Sequence, residues 1–393
     1  MRAPSEVRAA ERIPFARAEI ADEAREAVAR VLASGWVTTG PEVALFEEEF
    51  AAWLGADQAI AVSSCTEAIE LSLRGLGLAP GSTVLTSTMT FSGVVQAIVH
   101  AGLTPILCDI DPASMMPGES EIRAAVSAAG GVDAMVLLHF AGFPAPVEDM
   151  ASAAGLPLSR VVEDAAHALG TCVGDRPVGT ISAATCFSFY ATKNLPIGEG
   201  GMITSSDPDL IDYVSRGRLH GMSRDAWQRY LPGNGWRYSV EVDGLKANMT
   251  DLQAAIGRVQ LRHLDAWQAR RAAVARRYDE GLTGIPGVRA ASWPRQGRHG
   301  WHLYVIQVSQ AFGVPRDRLI TALAARGIDC SVHFIPVHHH GYFQRLLPDG
   351  IRERFPGADE AFRSIVSLPM YPSLSDEQVD RVCREIAAVG ASC

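Results

Sequence analysis

The chain has 393 residues, 48% hydrophobic and 20% charged, with a formal net charge of -9. That is soluble globular composition, long enough for a large domain and a smaller one, and its negative balance argues against a nucleic-acid partner. The N-terminal run MRAPSEVRAAERIP lacks a signal peptide's apolar core, and no apolar run approaches the ~20 residues that span a bilayer, so no membrane partner is expected. The seven cysteines are scattered without a CxxC pair. Neither a disulfide framework nor a zinc site is signalled, and a cytoplasmic location with reduced thiols is expected.

From about residue 20 to 260, short apolar runs alternate with helix-like stretches. Expected strands are Ala59–Ser64, Thr83–Ser87, Pro105–Ile110, Ala134–Phe140, Arg160–Asp164, Thr185–Tyr190 and Gly201–Ser205. Each is apolar on both faces, as in a sheet covered by helices on both sides. Thr66–Leu76 and Phe91–Ala101 have helical spacing between them. The alternation predicts an α/β fold with a mostly parallel sheet of about seven strands, within a large domain over residues 1–250. Residues 251–393 read differently: a long helix over Asp251–Gly281, a strand-like WHLYVIQV at 301–308, a helix over Arg316–Arg326, then CSVHF and a last helix. That pattern predicts a smaller α+β domain, with the N-terminal segment free to pack on it.

In open α/β sheets, chemistry gathers at the carboxyl ends of strands. Of 35 basic residues only two are lysines, Lys193 and Lys246. Arginine cannot become a neutral amine, so a lysine kept against such a bias is a candidate for amine chemistry. Lys193 lies in FSFYATKNLPIGEGG, after an expected strand and before a Gly-rich turn. There an amine could bind an aldehyde cofactor covalently and then move a proton between adjacent carbons. Asp164 ends another strand, where a carboxylate could hold a pyridine nitrogen protonated, and Glu163 should face the other way. His167 could bond the phenolic oxygen of such a cofactor. Ser64, Cys65 and Thr66 stand between a strand and a helix, a natural phosphate cradle, although Ser64 or Thr66 serves equally as an ordinary N-cap. Ser188 could add a hydroxyl to the same phosphate, and Phe91 could stack on a flat ring.

These segments, with GWVTTGP (35–41), VVEDAAHALGT (161–171), NMTDLQAAIGRVQL (248–261) and SLPMYPSLSDEQ (367–378), span nearly the whole chain. Together they resemble the DegT/DnrJ/EryC1/StrS sugar aminotransferases, pyridoxal-5′-phosphate (PLP) enzymes of fold type I. Within that family the likeness is strongest to enzymes making UDP-4-amino-4-deoxy-L-arabinose. The resemblance implies that Lys193 binds the cofactor, Asp164 pairs with its ring nitrogen, and Phe91 and Ala166 lie on its two faces. It implies His167 near the phenolic oxygen and Cys65, Thr66 and Ser188 at the phosphate. Asn248 would reach the phosphate from a neighbouring subunit, making a homodimer with shared sites. Thr38, Thr39 and His333 would lie near the sugar. Tyr190 stands where members often read SFH, so its role is open.

The resemblance further implies L-glutamate as donor and a nucleotide-diphosphate 4-keto sugar as acceptor, either a UDP-pentose or a dTDP-6-deoxyhexose. Members with histidine in place of the lysine act as dehydratases. A 3-keto-sugar or cyclitol aminotransferase, and a PLP-binding sensor without turnover, are the other readings. An anionic sugar nucleotide needs local cations, and Arg216, Arg218, Arg224, Arg229, Arg237 and Lys246 cluster before Asn248. Arg229 and Arg237 are the residues chosen for that role. His338-His339-His340 reads as a loop over the sugar pocket rather than a metal site, because adjacent strand residues alternate faces and no acid has a familiar spacing.

Overall fold

The computed structural model describes residues 12–223, 237–292, 297–347 and 350–391. Seven short apolar runs assemble into one sheet: β1 (Gln58–Val62), β2 (Thr83–Ser87), β3 (Thr104–Cys108), β4 (Ala134–Leu138), β5 (Val161–Asp164), β6 (Ala184–Ser188) and β7 (Gly201–Ser205). Their order is β1-β7-β6-β5-β4-β2-β3. Strands β2 to β6 pair in parallel, and β7 runs antiparallel to β6 and β1. Every residue of β4, β5, β6 and β7 is buried, which explains why these strands read as continuous apolar runs instead of alternating ones.

All seven expected strands are present. Several expected runs overshoot at the carboxyl end, where Phe140 and Phe189 stay fully buried although the chain has left the sheet. At those exits the backbone turns to build loops over the sheet edge, and an apolar run cannot distinguish the two.

The helices up to residue 217 include α1 (Glu23–Ser34), α2 (Pro41–Leu54), α3 (Cys65–Gly75), α4 (Ser92–His100), α5 (Glu119–Ala129), α6 (Val147–Ala154) and α7 (Pro208–Gly217). The expected long helix is α8 (Asp251–Leu282), 32 residues. Thr250 and Gln253 cap it reciprocally: Gln253 N–H donates to Thr250 Oγ1 at 3.3 Å, and Thr250 N–H to Gln253 Oε1 at 2.9 Å. Its first half packs on α1 and α2, and its second half on the C-terminal helix, Asp376–Ala391.

A second, antiparallel sheet comprises β8 (Val288–Ala290), β9 (Tyr304–Val308) and β10 (Ile365–Leu368), with β9 central. Tyr278 of α8 stacks on Tyr304 with centroids 4.7 Å apart and donates its hydroxyl to Pro369 O at 3.0 Å. The strand expected from residue 301 begins only at Tyr304. Trp301 takes φ 48°, a left-handed conformation, and the peptides of His302 and Leu303 donate to Ala141 O instead of a strand partner. The N-terminal segment closes on this region: Ile13 N donates to Gly327 O at 2.8 Å, and Phe15 O accepts from Met370 N at 3.3 Å. No helix among the described residues is long and apolar enough to cross a membrane.

Candidate active site

A cavity of about 480 Å³ lies at the carboxyl ends of β1, β5 and β6. Its floor carries Ser64, Cys65, Thr66, Asp164 and Ser188; Phe15, His302, His333 and Phe334 wall it from the other side. Each floor residue follows from a strand ending where the next helix or turn begins, the placement expected for a doubly wound sheet.

Lys193 sits on the turn after β6, its N–H donating to Tyr190 O at 2.9 Å. Withdrawal of its amine from water lowers its pKa from 10.5 to about 8, although Asp164 and Cys65 pull the other way. Asp164 is buried at the end of β5. Its Oδ1 accepts from Ala166 N at 3.0 Å and from the Cys65 thiol at 3.8 Å. Burial raises its carboxyl above the ordinary range, against the lowering from Ala166 N–H and Lys193. A cation beside its second oxygen would restore the carboxylate. Cys65 is held neutral, its thiol pushed well up by burial and then by Asp164.

Glu163 faces away from the cavity, as strand alternation requires. It accepts from His139 Nε2 at 2.7 Å, Ser182 Oγ at 2.7 Å and Thr185 Oγ1 at 3.1 Å. That closed network fixes the strand from below and leaves Asp164 alone on the cavity side.

Two neutral imidazoles stand beside the amine. Burial, then the Lys193 charge, lowers His167 and His302 well below 6.5. Their rings lie 4.4 Å apart. Ala141 N–H donates to His167 Nδ1 at 3.2 Å, so the ring proton is on Nε2 and His167 remains a donor. His302 has the opposite tautomer. Asn194 spends its Nδ2 on Gly300 O at 2.6 Å and Gln268 Oε1 at 3.2 Å, so its Oδ1 must accept from His302 Nδ1 at 3.2 Å. His302 Nε2 therefore carries a lone pair.

The helix α3 begins at Cys65, where first-turn N–H groups have no intrahelical acceptor and the helix dipole favours an anion. Ser64 caps it, accepting from Glu67 N at 3.2 Å. Two glycines keep backbone close to this turn. A Cβ on Gly201 would come within 2.6 Å of Ser64 C, and one on Gly93 within 2.8 Å of Thr66 Oγ1. A phosphate cradle, a buried carboxylate and a desolvated amine in one cavity fit a pyridine aldehyde phosphate.

Residues 18–387 match the model of the DegT/DnrJ/EryC1/StrS aminotransferase family. The spore coat polysaccharide biosynthesis protein SpsC of Bacillus subtilis is 44% identical over 377 residues, covering 95% of this chain and 96% of that one. The putative sugar aminotransferase Spr1654 of Streptococcus pneumoniae, solved in its PMP form, superposes with TM-score 0.87 at 28% identity, covering 97% and 99% of the two chains. DesI, solved in the presence of its TDP-sugar product, superposes with TM-score 0.84 at 28% identity, covering 97% and 93%. The chain belongs to the DegT/DnrJ/EryC1/StrS aminotransferase family. It has the fold type I architecture and is a PLP-dependent sugar aminotransferase.

Of the residues singled out in the sequence, Lys193, Asp164, His167, Ser64, Cys65, Thr66, Phe91, Ala166, Ser188, Tyr190 and His333 all line this cavity. Phe91 and Tyr190 are 59% and 47% exposed, so both stand at its mouth and have an open side. Thr38, Thr39 and Asn248 do not line it. Asn248 Nδ2 donates to Thr39 Oγ1 at 2.6 Å, Thr39 Oγ1 donates to Met249 O at 2.6 Å, and Thr38 O accepts from Asp251 N at 3.1 Å. Lys246 donates to Asn248 Oδ1 in the same cluster.

Arg224 and Arg229 lie outside the described residues, and Arg237 is exposed. Two of the expected cations are already spoken for: Arg216 pairs with Asp212 and Glu241, and buried Arg218 pairs with Glu47. The histidine run at 338–340 does not line the cavity either. Phe15, Asn194, His302 and Phe334 were not singled out in the sequence. Only His302 had a signal, an imidazole opening an apolar strand-like run.

Proposed function

We propose that the enzyme moves an amino group from L-glutamate to a nucleotide-diphosphate 4-keto sugar, giving a 4-amino sugar. The observation that carries this reading is the Lys193 amine, held near pKa 8 in one cavity with Asp164 and two neutral imidazoles. Bound PLP supplies an electron sink for negative charge developing at the amino carbon. Asp164 keeps the ring nitrogen protonated. Lys193 Nζ binds the cofactor and then carries the proton between adjacent carbons, which a near-neutral amine does in both directions. His167 donates from Nε2 toward the phenolic oxygen. Ser64, Cys65, Thr66 and Ser188 hold the phosphate, and Phe91 and Ala166 orient the ring from its two faces.

DesI, with its TDP-sugar product, and SpsC, in polysaccharide biosynthesis, support a nucleotide sugar as acceptor. Its diphosphate would meet Arg229 and Arg237, with Tyr190 and His333 toward the sugar. Asn248, Thr38 and Thr39 lie off this chain's own cavity, which supports a homodimer in which they complete the partner's site. The same reading takes residues 1–250 as the cofactor-binding domain and 251–393 as long helix plus smaller domain, with Ile13 tied to the latter. The enzyme works in the cytoplasm, where sugar nucleotides are free.

The test is an acceptor panel. The enzyme is converted with L-glutamate to its amine-loaded form and offered UDP-4-keto-pentose, dTDP-4-keto-6-deoxyhexose, a 3-keto counterpart and a keto-cyclitol, with product mass as readout. Amination of a 4-keto sugar nucleotide alone supports the proposal. Amination only of the 3-keto sugar or the cyclitol, or loss of water without amine transfer, overturns it.

A further inference from the structure

A second cluster of side chains lies outside the cavity. His338 and His339 occupy a single 3₁₀ turn, Val337–His339, rather than a strand. A tight turn does not alternate faces, and both rings reach the same acid. His338 Nε2 lies 3.1 Å from Asp359 Oδ1, and His339 Nε2 lies 2.7 Å from the same oxygen. One ligand atom from each of the three residues falls within 4.8 Å of the others. Asp359 comes from helix Pro356–Ser364, twenty residues further on. Sequence spacing therefore gave no hint of the pairing.

We propose that His338, His339 and Asp359 bind a divalent first-row transition cation of the zinc class. Zinc holds nitrogen and oxygen ligands at about 2.0–2.2 Å, so tetrahedral ligand atoms lie about 3.4 Å apart, and small side-chain adjustments from the present separations suffice. Imidazole with carboxylate selects zinc and its neighbours over magnesium or calcium.

The surroundings fit a ligand set. His338 is fully buried, and its Nδ1 lies 2.7 Å from Thr88 Oγ1. With the proton on Nδ1 and donated to Thr88, Nε2 offers its lone pair to a metal, the outer bond that usually orients a metal-bound imidazole. The side chains of His339 and Asp359 are 34% and 29% exposed, which leaves an entry path and room for water as a fourth ligand.

Four segments converge here. Asp109, just beyond β3, accepts from Gly357 N at 2.9 Å and Ala358 N at 2.8 Å, fixing the start of the helix that carries Asp359. Thr88 O accepts from Val337 N at 2.8 Å. Thr88 precedes Phe91 by three residues, and His333 and Phe334 precede Val337 by four and three. A bound cation would clamp together the two segments that bring Phe91 and His333-Phe334 to the cavity. The inference stands independently of which sugar the enzyme aminates.

The experiment strips the PLP-loaded enzyme with chelator and titrates it with Zn²⁺ against a chromophoric competitor, with Co²⁺ absorption as a second readout. One equivalent per chain is expected, with affinity falling tenfold or more in His339→Ala and in Asp359→Asn, and unchanged in His340→Ala. His339 and Asp359 are chosen because both are partly exposed, whereas replacing buried His338 also removes the Thr88 contact. Cobalt should give visible bands in the wild type that both variants lose. No zinc bound at micromolar concentration, or binding unchanged in His339→Ala and Asp359→Asn, would mean a hydrogen-bonded cluster only and overturn the proposal.

Discussion

His302 and Asn194 share a hydrogen bond of 3.2 Å, and Asn194 is the residue next to Lys193. The turn that carries the Lys193 amine is thus tied to the chain entering β9, on the opposite wall of the cavity. The bond also fixes the His302 tautomer, because Asn194 has no donor left to offer. Asn194→Ala should free the imidazole to exchange tautomers and loosen the turn. We expect a 5- to 30-fold fall in kcat with glutamate while the absorption of lysine-bound cofactor persists, about 1–2 kcal/mol of lost transition-state stabilisation. Stopped-flow kinetics of the glutamate half-reaction measures it; an unchanged rate would remove His302 and Asn194 from the account.

The Lys193 amine should show its depressed pKa directly. Only the neutral amine attacks an aldehyde, and a folded pKa of about 8, down from 10.5, enlarges that fraction at neutral pH. At pH 7 about one-tenth of the amine is neutral, against about 3 in 10,000 for an ordinary lysine. Capture of PLP by cofactor-free enzyme should therefore accelerate about tenfold per pH unit below 8 and level off above it. A rate still climbing tenfold per unit at pH 9.5 would show that burial does not tune this amine.

Asp164→Asn keeps the shape of the strand end and removes its charge. Cofactor should still bind through Lys193 and the phosphate cradle, but turnover should drop by about 10²–10⁴-fold because the ring nitrogen loses its anionic partner. Steady-state assays with cofactor content measured on the same sample separate the two effects. Full activity in this variant would mean that Asp164 only supports Cys65 and Ala166.

Gly201 lets the β7 backbone pass against the first turn of α3. Its φ lies outside the left-handed region, so alanine adds no backbone strain, but the new Cβ would sit 2.6–2.8 Å from Ser64 and Cys65 main-chain atoms. Gly201→Ala should push that turn out of position and raise the Kd for PLP at least tenfold. Pyridoxal, which lacks the phosphate, should lose much less. Equal losses for both compounds would point to general damage rather than to a phosphate cradle.

Arg229 and Arg237 carry the proposed diphosphate contact. Replacing both by alanine should raise KM for the sugar nucleotide while sparing the glutamate half-reaction. Unchanged KM for both substrates would reject them as the anion site.

Much of this architecture was legible because local pattern and tertiary role coincide. Buried parallel strands leave apolar runs, and the long helix expected over Asp251–Gly281 is α8, Asp251–Leu282. Lys193, Asp164 and Ser64 were legible as well, because strand ends are where such a sheet places reactive groups. What could not be read depends on closure between distant segments. Phe15 reaches the cavity only because Ile13 pairs with Gly327 and Asp329. His302 points into it only because Trp301 takes a left-handed turn before β9. Arg216 and Arg218 looked like free cations until the fold brought Glu241 and Glu47 to them. The histidine pair looked strand-like, and a 3₁₀ turn put both rings on one acid.

The most direct test is the visible absorption spectrum of the PLP-loaded enzyme before and after L-glutamate, beside Lys193→Ala. The wild type should show a band from lysine-bound cofactor that glutamate bleaches to the pyridoxamine form, and the variant no lysine-bound band. A Lys193→Ala protein with the same band and the same response to glutamate would contradict this role of Lys193.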